Sequence, residues 1–182
     1  MSSQMIIAQA LGLVGTAIMC LSFQCKESRK LFLVQFAASL TFSVHFFLLG
    51  AFTGLFLNLA ELLRSFLLIN GNKKWASHWG TMVFVMLLMA GCGALTWDGG
   101  WLSLLPTAAM VVSTPFLWTR NGKVLRLATL LFISPCWLVY NTVVFSIAGI
   151  LTEGFNIISI VISFLRFGMK GLDYKSNSER GL

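Results

Sequence analysis

The chain has 182 residues, of which 57% are apolar and 10% charged, against roughly 25% charged in an ordinary soluble domain. That balance excludes a soluble globular fold and describes an all-α integral membrane protein. Its net charge of +7 therefore belongs with lipid headgroups at the ends of spans and carries no argument for a nucleic-acid partner.

A spanning helix needs about 20 apolar residues, and seven such runs follow one another, at about 5–23, 31–50, 53–70, 79–96, 101–119, 127–148 and 151–168. No basic residue precedes the first run, so the charged region of a cleavable signal peptide is missing and the run is expected to remain as the first span. Lys26, Arg29 and Lys30 follow it. A short turn from Gly50 to Gly54 joins the second run to the third, and Lys73 and Lys74 separate the third from the fourth. Trp79 and Trp97 bracket the fourth run like an aromatic belt. Asp98, Gly99 and Gly100 form the next turn. Pro106 and Pro115 are expected to break the fifth run and Pro135 the sixth, as hinges. Arg120, Lys123 and Arg126 lie between those two runs. A turn around Gly149 leads into the seventh run, and Arg166, Lys170, Lys175 and Arg180 close the chain.

Apart from Arg64, every Lys and Arg falls in one of those four groups. Basic residues accumulate on the cytoplasmic side, so the pattern places the N-terminus outside and the C-terminus inside. Sliding the chain by 95 residues sets Ser39 on Ser134, Val44 on Val139 and Gly54 on Gly149. It also lays the basic turn at 26–30 on that at 120–126. The runs then divide as 3+1+3: a first three-helix repeat at 1–70, a linker helix with its flanking loops at 71–100, a second repeat at 101–169 and a cytoplasmic tail at 170–182. Three spans and a linker reverse the chain four times in all, so the repeats are parallel, about an axis along the membrane normal.

The same offset aligns the polar residues inside the membrane. The third run carries Asn58 and Glu61, and the seventh carries Glu153 and Asn156, each pair three residues apart and so on one helix face. On the second and sixth runs it matches Phe42 with Trp137 and His45 with Tyr140. These faces are expected to enclose a polar and aromatic cavity near the bilayer midplane, with Asn58, Asn156, Trp137, Tyr140, Phe42 and His45 as its solute-binding residues. An ionisable group within a span marks a pathway or site by default. Glu61, Arg64 and Glu153 are thus candidates for proton coupling, helped by His45, or for ion pairing, since Glu61 and Arg64 share a face. Glu153 also sits at the expected start of the seventh run, where an acid favours the helix N-terminus and Thr152 is placed to cap it.

Cys20, Cys25, Cys92 and Cys136 show no C-x-x-C spacing and read as buried, reduced thiols. There is no P-loop, H-E-x-x-H or G-x-S-x-G motif. Neither an enzyme nor a metal or other cofactor is expected.

The 3+1+3 order with its N-terminus outside resembles the SWEET and PQ-loop superfamily of transporters. The segments His45–Gly50, Leu104–Pro106, Cys136–Trp137 and Thr152–Gly154 are similar to those of the YgjV family of bacterial inner-membrane proteins, over nearly the whole chain. The resemblance implies a multi-pass protein of the inner membrane. In SWEET-type proteins an aromatic on the second helix and an asparagine about 16 residues later form the sugar pocket. Phe42 to Asn58, His45 to Glu61, Trp137 to Glu153 and Tyr140 to Asn156 match that spacing here, although no pair joins a Trp to an Asn. The PQ dipeptide has its counterpart only in Phe23–Gln24, and hinge prolines are absent from the first two runs. The expectation is a transporter or facilitator of a small polar solute, sugar-like or another metabolite, working by alternating access between two three-helix units. The alternative is a non-transporting ligand sensor or membrane partner subunit on the same fold.

Overall fold

The computed structural model describes residues 3–22, 28–119 and 122–167, and these form an all-α protein with no strand among them. Helices α1 (Ser3–Ser22), α2 (Ser28–Leu49) and α3 (Phe52–Ile69) are followed by the short α4 (Lys74–Ser77) and by α5 (Trp79–Leu95). A 3-10 turn (Trp101–Ser103) leads into α6 (Leu104–Thr119). One rod then comprises α7 (Gly122–Ala128), a π-helical turn (Thr129–Ile133) and α8 (Ser134–Val143), and α9 (Ile147–Phe167) closes the described chain. Among the described residues four helical stretches, Ser3–Leu21, Phe32–Leu49, Phe52–Ile69 and Trp101–Thr119, are long and apolar enough to cross a membrane. Trp79–Leu95 and Ile147–Ile162 are shorter apolar helices. Phe23, Gln24, Cys25, Lys26, Arg120, Lys170, Lys175 and Arg180, and the side chains of Arg29, Lys123 and Arg166, lie outside the described residues.

Beside a buried aromatic core, many large apolar side chains lie on the outside of the helices. Large apolar side chains such as Leu95, Leu165 and Leu87 face outward, whereas small or polar ones such as Ala8, Ala38, Ser39, Ser65 and Ala109 fill the helix contacts. Hydrocarbon gives apolar surface no reason to leave it, so helices in lipid associate through close packing of small residues and hydrogen bonds. Trp79 and Trp97 stand exposed at the two ends of α5.

The hairpins α2–α3 and α8–α9 share one design, 95 residues apart. Each turns on a residue with positive φ, Gly50 at 70° and Phe145 at 55°. Each closes with the same backbone bond, from Ala51 N–H to the Phe46 carbonyl (3.0 Å) and from Ser146 N–H to the Asn141 carbonyl (2.9 Å). A glycine then lets the two helices of each hairpin approach: Gly54 lies against the Phe46 ring and Gly149 against the Asn141 side chain, with no room for a Cβ at either. The helix neighbours follow suit. Helix α1 packs on α2 and α9, α6 packs on α8 and α3, and α2 and α8 each pack on the helix that follows their hairpin turn. Exchanging α1, α2 and α3 for α6, α8 and α9 leaves that set of contacts unchanged. Helix α5 packs on α3 and α6.

Three expectations need correction. The last turn runs through Val144–Ser146 rather than around Gly149, which is already helical. Helix α9 therefore starts at Ile147, so Thr152 and Glu153 lie in its second turn and neither serves its N-terminus. The Thr152 hydroxyl instead donates to the Ala148 carbonyl (2.9 Å) and meets Thr16 Oγ1 of α1 at 2.8 Å. Pro106 does not break its helix, because it occupies the first turn of α6, where backbone N–H groups have no partner within the helix in any case. Pro115 does lie inside α6. Pro135 opens α8, and the preceding backbone widens to a π turn in which Ser134 N–H reaches the Thr129 carbonyl, five residues back.

Candidate functional site

Helices α2 and α8 meet through aromatic side chains. Phe42, His45 and Phe46 occupy one face of α2 because they lie three and four residues apart. Phe46 is the centre of the cluster, with its ring centroid 5.1 Å from His45, 6.2 Å from Phe42, 6.1 Å from Trp137 and 6.2 Å from Tyr140. Trp137 and Tyr140 pack edge to face at 5.8 Å, a favoured geometry for aromatic pairs. Four of the sequence-derived solute residues, Phe42, His45, Trp137 and Tyr140, are thereby brought into one buried cluster. They fill the space between α2 and α8.

Two polar tips extend from that cluster in matching directions. His45 is fully buried, with Nδ1 at 2.7 Å from the Ala8 carbonyl and Nε2 at 2.7 Å from Ser146 Oγ. A carbonyl only accepts, so Nδ1 carries the proton. In the neutral ring Nε2 then accepts from the Ser146 hydroxyl, whose oxygen accepts the N–H of Gly149 at 3.1 Å. On the other side the Tyr140 hydroxyl accepts the N–H of Gly54 at 2.9 Å. Gly54 and Gly149 are each the third residue of their helix, where a backbone N–H has no helical partner. His45 of α2 thus serves the start of α9 through Ser146, and Tyr140 of α8 serves the start of α3.

A cavity of about 240 Å³ opens beside Tyr140, lined by Thr53, Thr96, Asp98, Ser103 and Val144 among others. It lies at the end of the bundle where the hairpin turns gather. At the matching place in the first half, Gln9 of α1 fills the space. Its Nε2 donates to the Phe145 carbonyl at 2.6 Å and its Oε1 accepts from Ile147 N–H at 3.1 Å.

The remaining polar residues sit farther along α3 and α9. Asn58 donates to the Gly54 carbonyl of its own helix at 2.9 Å. Glu61 pairs with Arg64 and accepts from the Ser65 hydroxyl at 3.0 Å. Arg64 is buried and also donates to Ser113 Oγ (2.7 Å), Thr114 Oγ1 (3.1 Å) and the Met110 carbonyl (3.2 Å) of α6. A buried guanidinium is tolerable only with such partners. On α9, Asn156 Nδ2 donates to Glu153 Oε2 at 3.3 Å. Among the described residues no cationic side chain is placed against Glu153. Of the expected hinges, Pro115 lies one residue beyond the contacts of Arg64 and Pro135 adjoins the π turn. Cys20 and Cys92 are half-buried and Cys136 is buried, all as free thiols.

Phe46, Gln9, Thr16 and Ser146 join the contacts without having stood among the sequence-derived site residues. Phe46 was open to detection, standing four residues after Phe42 on the same face. Gln9 and Thr16 are polar residues inside an apolar run, which is itself a signal.

The family model Imp-YgjV, described as bacterial inner membrane protein, matches residues 6–170. The chain belongs to that family. Inner membrane protein YgjV of Escherichia coli (strain K12) is 25% identical over 170 residues, covering 92% of this chain and 89% of that protein. No solved structure matches. Family membership and the apolar helices together place this Imp-YgjV member in the bacterial inner membrane as a multi-pass protein.

Proposed function

We propose that the chain is a transporter or facilitator of a small polar solute, built as two parallel three-helix units joined by α5 and alternately open to each side of the membrane. The observation that carries this reading is the reciprocal pair of contacts between the units, His45 through Ser146 to Gly149 and Tyr140 to Gly54. Each unit holds the start of the other's last helix, so a rotation of one against the other changes both contacts together. The exchange symmetry of the helix neighbours supports the same 3+1+3, SWEET-like plan. Asn58 and Asn156 would meet the solute's polar groups, and Phe42, His45, Trp137 and Tyr140 would form its walls. The reading assigns no catalytic step. The basic groups give the N-terminus outside and the C-terminus inside, and labelling of a cysteine introduced at Lys73 only from the outer face would overturn that topology.

The test is uptake into proteoliposomes from a panel of radiolabelled sugars, polyols and amino acids. Saturable flux that is lost in Asn58→Ala and Asn156→Ala is the expected result. Ligand-dependent thermal stabilisation without flux would sink transport and favour the sensor or partner-subunit reading.

A further inference from the structure

We propose that Glu153, Asn156 and Ser134, together with the π-turn backbone that precedes Ser134, form a binding site for one small alkali cation, of which sodium is the first to test. The inference goes beyond solute transport and does not depend on it.

The two halves differ at matched positions. The 95-residue offset sets Glu153 on Asn58, Asn156 on Glu61 and Ser134 on Ser39, so at these matched positions each half carries one carboxylate, one carboxamide and one serine. In the first half the carboxylate has a resident cation, since Arg64 pairs with Glu61. The residue matched to Arg64 is Ser159. Among the described residues the second half therefore has the same oxygen donors and no guanidinium beside them.

Those donors are poorly served by the protein. Ser134 is 0% exposed and its hydroxyl stands beside the Glu153 carboxylate, yet it meets no partner at hydrogen-bond geometry. Asn156 gives its amide N–H to Glu153, which leaves its buried Oδ1 unpartnered. Buried polar atoms in this state are uncommon and call for a partner. Behind them, Pro135 has no N–H to return to the preceding turn, whose backbone has already widened. Helix α9 packs on that π turn, and backbone carbonyls freed at a helix irregularity are sodium ligands in membrane transporters.

The chemistry selects the ligand class. Carboxylate, carboxamide, hydroxyl and carbonyl oxygens are hard donors and favour hard cations over thiophilic metals. A single carboxylate balances a single positive charge in a low-dielectric interior, whereas a divalent ion would leave a charge uncompensated.

The experiment uses the purified full chain in detergent and measures its melting temperature as sodium chloride replaces choline chloride at constant ionic strength. We expect a saturable rise with sodium that is absent in Glu153→Gln. Ser134→Ala and Asn156→Ala should raise the half-maximal sodium concentration by about tenfold or more, the effect of losing one good ligand. If Glu153→Gln does not fold, the two milder variants decide. Equal melting temperatures in the two salts would overturn the proposal. So would a sodium effect undiminished in all three variants, or a response to pH with none to sodium.

Discussion

Arg64 shows what a single residue demands of this fold. It lies in the middle of an apolar helix, where Glu61 and three oxygens of α6 hold its terminal nitrogens and leave the buried Nε without a hydrogen-bond partner. Replacing it by leucine would strand the Glu61 carboxylate, and breaking a buried pair from one side costs about 3 kcal/mol or more. Thermal unfolding in detergent should therefore show a large loss for Arg64→Leu and substantial recovery in the double variant Arg64→Leu with Glu61→Met. A double variant as unstable as the single one would mean that the α6 contacts, not the ion pair, carry the stabilisation. At this scale the sequence was informative about polarity and silent about partners. The spacing of Glu61 and Arg64 announces a shared face, but Gln9 and Ser146 meet groups 136 to 138 and 101 residues away, a distance that no local pattern encodes.

At the scale of the element, the hairpins can be tested glycine by glycine. Gly50 has open space where a Cβ would go but a φ of 70°, so Gly50→Ala isolates backbone strain and should cost about 1 kcal/mol. Gly54 is limited by the Phe46 ring and Gly149 by Asn141, whereas Gly154 in the same helix faces nothing within 4 Å. Melting temperatures should fall for Gly54→Ala and Gly149→Ala, since overpacking costs about 1–3 kcal/mol, and hold or rise for Gly154→Ala. Equal effects at all three would remove the close approach as the reason for these glycines. Hydropathy made the helices legible because lipid tolerates few other structures. It blurred their ends: α9 starts four residues before its expected position and the α7 rod five before, at Gly122. Helices run through Gly149 and Arg126 as readily as through leucine, although in the sequence the one reads as a turn and the other as the end of a span.

The whole molecule has an order that its halves share and a difference between them. Gly50 and Phe145 share a positive φ, Ala51 and Ser146 make the same backbone bond, and His45 and Tyr140 each reach the start of a helix in the opposite hairpin. The cavity was not readable. The sequence pattern places it at the centre, where Phe46 stands among the aromatics, whereas the structure opens it beside Tyr140. Transport, if driven by relative rotation of the units, should thus be sensitive to the plugged side: Gln9→Ala should lower the melting temperature and change the flux of any solute that wild type carries. Unchanged flux alongside lowered stability would confine Gln9 to a structural role.

The contacts of Arg64 also bear on how the chain is made. Its oxygen partners on α6 lie 46 to 50 residues downstream, so when α3 first enters the bilayer during synthesis only Glu61 is there to meet the guanidinium. The pair must then wait through the whole of α5 for its remaining ligands. Biogenesis has a vulnerable interval here, in which a half-satisfied charge sits among lipids or is sheltered by the insertion machinery, and it ends only when α6 arrives.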